Sequence, residues 1–183
     1  MDLIKHNTQI QVVKFISIIF LGSILLAISA KVKIPFYPVP MTMQTFVVLF
    51  FGLFFGYKIG LATISLYLLE GIFGLPVFSN SPERGVGLAY FTGPTMGYLI
   101  GFLLACFFAS YVKINDNYFL IFTKLILAVS FIYLLGILWL GTIIGWDKPI
   151  FELGVKPFLL AEIFKIILLT LLTKKIFKLR KFI

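Results

Sequence analysis

The sequence predicts an all-α integral membrane protein, with six transmembrane helices in one bundle and irregular outside loops. Three observations predict it. Hydrophobic residues make up 61% of the 183 positions and charged residues only 13%, whereas a soluble domain is about half apolar and roughly a quarter charged. The apolar residues fall in runs close to the ~20 residues that a helix needs to cross a bilayer. Short segments rich in proline, glycine and charge separate the runs. No linker or low-complexity stretch divides the chain, so residues 1–183 read as a single domain.

The first span is Val12 to Ala30, closed by Lys31 and Lys33. Its end, Ala-Ile-Ser-Ala, mimics a signal-peptide cleavage site. The run is long enough to span and further spans follow, so it reads as a retained helix. Ile34 to Met43 holds Pro35, Pro38 and Pro40. Proline fixes the backbone and removes a donor, so this segment is extended or re-entrant. Gln44 to Gly56 is apolar but short, and Tyr57-Lys58 marks a turn. Ile59 to Phe73 is the third span, stopped by Gly74 and Pro76.

The polar loop Val77 to Thr92 follows. Gly93 or Pro94 then starts a fourth span, in keeping with proline in a first helical turn, that runs to about Val112. Lys113 to Asn117 is a hydrophilic turn. Tyr118 to Gly145 is the long fifth span, with Trp139 and Trp146 near one interface. Trp146 to Lys156 is a loop, and Pro157 opens the sixth span, which runs to about Thr173.

Six spans put both termini on one side. Lys5, Lys58, Lys113 and the basic tail Lys174, Lys175, Lys178, Arg180 and Lys181 assign that side to the cytoplasm, while Lys31 and Lys33 run against the charge rule. The net charge of +9 therefore reads as an inside-facing membrane anchor rather than a nucleic-acid surface. The segments 34–43, 77–92 and 146–156 all face outside, where they can build one pocket together.

The single Cys106 excludes an internal disulfide and a thiolate metal cluster. The one histidine, His6, has no partner motif. No hydrolase, zinc-protease or phosphate-loop motif is present. No metal or cofactor is expected, and if the protein drives active transport from nucleotide, the nucleotide site is on another chain.

The two ladders Gly52/Gly56/Gly60 and Gly93/Gly97/Gly101 let helix backbones approach closely, either within the bundle or against a partner. Ser23 and Ala27 form a shorter small-residue pair with the same two readings. Glu162 and Lys165 share a helix face at i and i+3. Charges inside a span are costly and face a cavity or each other, so they are a mutual ion pair or a ligand-binding pair. Asn80 offers a donor and an acceptor, and Arg84 a planar fork of donors; the plain alternatives are a turn residue and a surface pair with Glu83. Glu70 is a proton or cation site, or reaches to the interface.

Four blocks carry a family resemblance. Residues 39–46, Val-Pro-Met-Thr-Met-Gln-Thr-Phe, resemble the VPxTxQTF motif of the BioY family, the biotin-specific substrate-binding subunits of energy-coupling factor transporters. Residues 74–78 resemble its GLPVF, residues 93–102 its GPTGGYLIGF, and residues 157–165 its PFLPGDLIK. The departures are Met96 for a glycine, Leu160-Ala161 for Pro-Gly, Glu162 for the usual aspartate, and Glu70 for an apolar residue.

The resemblance implies six membrane helices and high-affinity uptake of biotin across the bacterial cell (inner) membrane. It implies a transmembrane coupling subunit and two cytoplasmic ATPases as partners, with Ser23 and Ala27 the nearest match to the residues that contact the coupling subunit. The pocket lies near the outer face, under a lid formed by the 34–43 loop. Asn80, Arg84, Glu162 and Lys165 match the needs of a ureido ring and a carboxylate tail. Phe36, Tyr37, Tyr90 and Tyr98 cover the apolar ring, and Gln44 lines the lid and pocket. Rival readings are a self-sufficient proton-coupled transporter using Glu70 or Glu162, and a binding subunit for a related small vitamin.

Overall fold

Short polar breaks between long apolar runs leave each helix free to bury one face against its neighbours and expose the other to lipid. The computed structural model describes the backbone of residues 2–179 and the side chains of residues 10–177. The side chains of Lys5, His6, Lys178, Arg180 and Lys181 lie outside the described residues.

In chain order, α1 (Asp2–Lys31) leads into a minimal antiparallel hairpin of β1 (Lys33–Ile34) and β2 (Met41–Thr42), in which Lys33 pairs with Thr42 and Ile34 with Met41. Then come α2 (Gln44–Ile72), α3 (Leu88–Phe91), α4 (Met96–Ala109), α5 (Tyr118–Ile144), α6 (Ile150–Gly154), a 3-10 turn (Lys156–Phe158) and α7 (Leu159–Leu179). The two-residue strands are the one addition to an otherwise helical plan.

The α2 helix is two helices joined end to end. Gly56 breaks it with φ 76° and ψ 173°, a conformation that side chains disfavour and glycine adopts freely. The break thus falls at Gly56, not at Tyr57-Lys58, which begin the second half. The segments α1, the two halves of α2, α4, α5 and α7 make up the six-helix bundle. Among the described residues, Ile10–Lys31, Gln44–Ile72 and Tyr118–Ile144 are long and apolar enough to cross a membrane by themselves.

Two other boundaries move. The fourth helix starts at Met96 rather than at Gly93 or Pro94 and ends at Ala109. The outside loops also hold the short helices α3 and α6, whose lengths of 4 and 5 residues leave no periodic pattern to read. At the other end of the bundle, Asn117 caps α5 by accepting a hydrogen bond from Leu120 N at 2.7 Å.

Helix α4 is the centre of the packing, between α2 and α5. The glycine ladders bring this about. A side chain at Gly97 would meet the Leu135 carbonyl, and one at Gly101 would lie 2.6 Å from the Ile132 Cα. Gly52 lies equally close to the Cys106 carbonyl on the other side of α4. The ladders therefore serve packing within the bundle. Gly93 lies off the helix, where its carbonyl accepts a hydrogen bond from Trp139 Nε1 at 2.9 Å. The core they close includes Leu49, Leu53, Ile64, Tyr67, Ile132 and Leu169.

Candidate functional site

A cavity lies where the hairpin, the 73–95 connection, α4, α5 and the start of α7 meet. Val39, Met41, Leu99, Phe102, Ile132 and Phe158 give it apolar walls. Thr42, Gln44, Thr45, Ser79, Tyr90, Thr95, Tyr98, Tyr133 and Glu162 supply polar groups. An apolar pocket with a few converging polar groups is the usual form of a small-molecule site.

Helix α2 begins at Gln44, directly after β2 and Met43, so Gln44 and Thr45 sit on its first turn, both buried. Gln44 donates from Nε2 to the Tyr67 hydroxyl at 2.7 Å, which fixes its orientation. Thr45 reaches across to α7 and donates to Glu162 Oε1 at 2.8 Å. Lys165 Nζ donates to Glu162 Oε1 at 2.7 Å, to Thr45 Oγ1 at 2.9 Å and to the Thr42 carbonyl at 2.7 Å. Glu162 and Lys165 are each 4% exposed. The mutual ion pair is therefore real and buried, and only Glu162 of the two lines the cavity.

Two buried polar atoms of this cavity have no partner at hydrogen-bond geometry, Glu162 Oε2 and Ser79 Oγ, although the Tyr133 side chain also interacts with the Glu162 carboxylate. Buried polar groups in proteins are nearly always paired, and an unpaired one costs about 1–3 kcal/mol. Both atoms belong to residues that line the same cavity. Glu162 Oε2 can accept a hydrogen bond, and Ser79 Oγ can donate or accept one.

The tyrosines hold the frame. Tyr90 stacks on Phe78 with ring centroids 4.6 Å apart, and burial pushes its phenol upward, so it stays a neutral donor. Tyr98 donates to the Gly154 carbonyl at 2.9 Å, which ties α4 to α6.

Asn80 and Arg84 are placed differently from Glu162. Asn80 Oδ1 accepts from Lys33 Nζ at 2.8 Å and does not line the cavity. Arg84 Nη1 donates to the Pro38 carbonyl at 2.6 Å, and its guanidinium lies 5.5 Å from the Tyr37 ring centre. It thus clips the 34–43 loop to the 77–92 loop. Arg84 also lines a smaller recess with Tyr90 and Thr95, two residues shared with the main cavity. Tyr37 is 80% exposed and forms the outer face of this clip. Phe36 sits edge-on to Phe158 of the cavity wall at 6.1 Å.

Ser23 and Ala27 lie away from the cavity. Ser23 is fully buried and donates to Glu70 Oε1 at 2.8 Å. Ala27 is half-buried in a groove along α1 that Glu70 and Lys31 also line. Glu70 is thus on the outer wall of the bundle, apart from Glu162.

Sequence reasoning passed over Thr45, Ser79 and Tyr133. Thr45 lay in a quoted motif, but its partner is 117 residues away. Ser79 adjoins Asn80 and looks like any loop serine. Tyr133 alone carried a usable signal, a phenol in the middle of an apolar span.

Known proteins match this chain along nearly its full length. The BioY family model matches residues 5–182. A protein of Pyrococcus horikoshii called a probable biotin transporter BioY is 36% identical over 152 residues, covering 83% of this chain and 89% of its own length. The biotin transporter BioY of Thermotoga maritima is 30% identical over 156 residues, 85% of this chain and 90% of its own. Among solved structures, the S-component for biotin from an ECF-type ABC transporter superposes with a TM-score of 0.76 over 92% of this chain and 93% of its own, at 24% identity; it shows the same fold. With the motif blocks, the fold and the full-length match in agreement, the chain belongs to the BioY family.

Proposed function

We propose that this chain binds biotin in the cavity and carries it across a bacterial cell membrane as the substrate-binding subunit of an energy-coupling factor transporter. The observation that carries this reading is the pair of buried groups without a protein hydrogen-bond partner, Glu162 Oε2 and Ser79 Oγ, among the residues that line one cavity. Biotin has a ureido ring with two N–H donors and one carbonyl acceptor, an apolar thioether ring and a carboxylate tail. Glu162 Oε2 accepts from a ureido N–H, and the Ser79 hydroxyl donates to the carbonyl. Tyr90, Phe158 and Leu99 cover the thioether ring. The tail extends past Tyr90 and Thr95 toward Arg84. The 34–43 loop, with Phe36 and Tyr37, is the lid, and Asn80 anchors it through Lys33.

The chain is not an enzyme and needs no cofactor in this reading. Both termini face the cytoplasm, the outside loops hold the site, and ATP is hydrolysed by two partner ATPases. A transmembrane coupling subunit docks along α1. Ser23 is enclosed within the bundle, so Ala27 is the member of that pair left to touch it. Uptake of labelled biotin into liposomes tests the assignment. The chain with its coupling subunit and ATPases takes up biotin only with ATP. Uptake by the chain alone that follows a proton gradient would instead establish a secondary transporter.

A further inference from the structure

A groove outside the candidate site carries two opposite charges that do not pair with each other. It runs along α1 beside the end of α2, and Lys31 and Glu70 both line it. We infer that this groove binds one membrane phospholipid whose headgroup holds a phosphate and a primary ammonium, as in phosphatidylethanolamine. Neither residue lines the cavity proposed for biotin, so the two sites are tested separately.

A carboxylate within a span is costly and takes a partner. Glu70 has little help from the protein. Ser23 Oγ lies 2.8 Å from Glu70 Oε1 and 2.9 Å from the Phe20 carbonyl, and its single proton serves one of them at a time. Among the described residues no other group bonds the Glu70 carboxylate. Lys31 Nζ donates to the Phe78 and Ser81 carbonyls at 2.8 and 2.7 Å, which leaves one of its three protons for the groove. Glu83 acts on Lys31 electrostatically but is not among the residues that line the groove.

Depth and shape fit a lipid. Lys31 ends the span Ile10–Lys31, and Glu70 stands just before the end of the span Gln44–Ile72. Both charges are therefore at the rim of the membrane, where headgroups lie. Below them Phe20, Ile24 and Ile28 recur every fourth residue on one face of α1, all exposed. From Phe20 to Lys31 the helix rises about 16 Å, the depth of one leaflet in a hydrocarbon core of about 30 Å. The phosphate meets Lys31, the ammonium donates to Glu70, and an acyl chain lies along the apolar stripe. A partner helix that brings only a basic side chain would suit Glu70 and repel Lys31. Ala27 also lines the groove, so a coupling subunit that docks there displaces the lipid.

Native mass spectrometry of the full-length chain alone, in detergent, counts the bound lipid. The probes are dioleoyl phosphatidylethanolamine, phosphatidylcholine and phosphatidylglycerol. One phosphatidylethanolamine per chain is expected, held about tenfold more tightly than phosphatidylcholine, whose quaternary ammonium has no proton to donate to a charged acceptor. Glu70→Gln abolishes that preference. Lys31→Met weakens all three lipids about fivefold, the scale of one lysine at a membrane surface. Glycerophosphoethanolamine, which has the headgroup and no chains, is not retained. Equal retention of the ethanolamine and choline lipids by the unaltered chain, or a preference that survives Glu70→Gln, would overturn the inference. Retention of glycerophosphoethanolamine as tight as that of the lipid would do the same. Lys31 also holds the 73–95 connection, so if Lys31→Met fails to fold, Ala27→Phe takes its place. It fills the groove, keeps both charges and lowers the binding of all three lipids; unchanged binding would overturn the inference. So would a Glu70→Gln chain that keeps its lipid preference and loses only the coupling subunit, since the groove would then be a protein interface.

Discussion

Thr45, on the first turn of α2, donates its hydroxyl proton to Oε1 of Glu162 on the first turns of α7, at 2.8 Å and 117 residues away in sequence. This bond and that from Lys165 saturate one carboxylate oxygen and leave the other unpaired in the cavity. Thr45→Val keeps the shape and removes the donor. The hydroxyl also accepts from Lys165, so one lysine proton is left without a partner. Biotin affinity is expected to fall about five- to tenfold, in line with ~1 kcal/mol for a hydrogen bond. Thr45→Ser, which keeps the hydroxyl, restores most of it. Isothermal titration of the two variants side by side checks this.

Ser79→Ala has the opposite stability signature. The hydroxyl has no partner in the ligand-free protein, so removing it relieves an unpaired buried group. The melting temperature of the empty protein is expected to stay level or rise. Affinity for biotin falls about fivefold as the donor to the ureido carbonyl is lost. A drop in both together would mean that Ser79 is a structural residue.

Arg84→Met removes the clip between Pro38 and the 77–92 loop. The lid then opens more often, and the dissociation rate of biotin rises about tenfold, the worth of one charge-assisted bond. Arg84 also borders the recess beside Tyr90, so biotin loses more affinity than its amide. Stopped-flow dissociation with both ligands separates the two effects.

Gly97→Val places a branched side chain against the Leu135 carbonyl and Trp139 Cβ. Backbone cannot yield as a side-chain tip can, so α4 and α5 are forced apart. A cost of about 1–3 kcal/mol or more is expected from such overpacking. Thermal unfolding in detergent registers it as a lower midpoint, with biotin affinity lost in proportion to the unfolded fraction.

Asp116 offers a prediction outside the site. Burial opposes its charge, but hydrogen bonds from the Lys113 amide at 2.9 Å and Lys124 Nζ at 2.6 Å outweigh that and hold its carboxyl below the ordinary range. A carboxylate with a depressed folded value stabilises the fold above its unfolded pKa of about 3.9, and the contribution disappears as pH falls through the depressed value. The 113–116 turn is thus expected to loosen only in strong acid. Asp116→Asn loosens it already at neutral pH, as amide exchange across the turn can show.

Much of this was legible in the chain itself because it depends on local pattern. Pro35, Pro38 and Pro40 marked a non-helical connection, the spacing of Gly97 and Gly101 marked a packed helix face, and Glu162 with Lys165 announced a polar point inside a span. What was hidden depends on distance in space. Nothing near Lys33 reveals that it holds the Ser79 carbonyl and Asn80, 46 and 47 residues onward. Asn80, bonded to Lys33, is not among the residues that line the cavity. The free hydroxyl of Ser79 likewise follows from what surrounds it, which no short window of sequence records. The break at Gly56 was misplaced by one residue because lysine and tyrosine look like a turn, while the backbone turned where glycine allowed a positive φ.

The most direct measurement is equilibrium binding of radiolabelled biotin to the purified full-length chain and to its Glu162→Gln variant. Saturable binding at one site per chain, weakened about a hundredfold or more when the unpaired carboxylate oxygen becomes part of an amide, is the expected result. No saturable binding by the folded chain, or equal binding by the two proteins, would contradict the account.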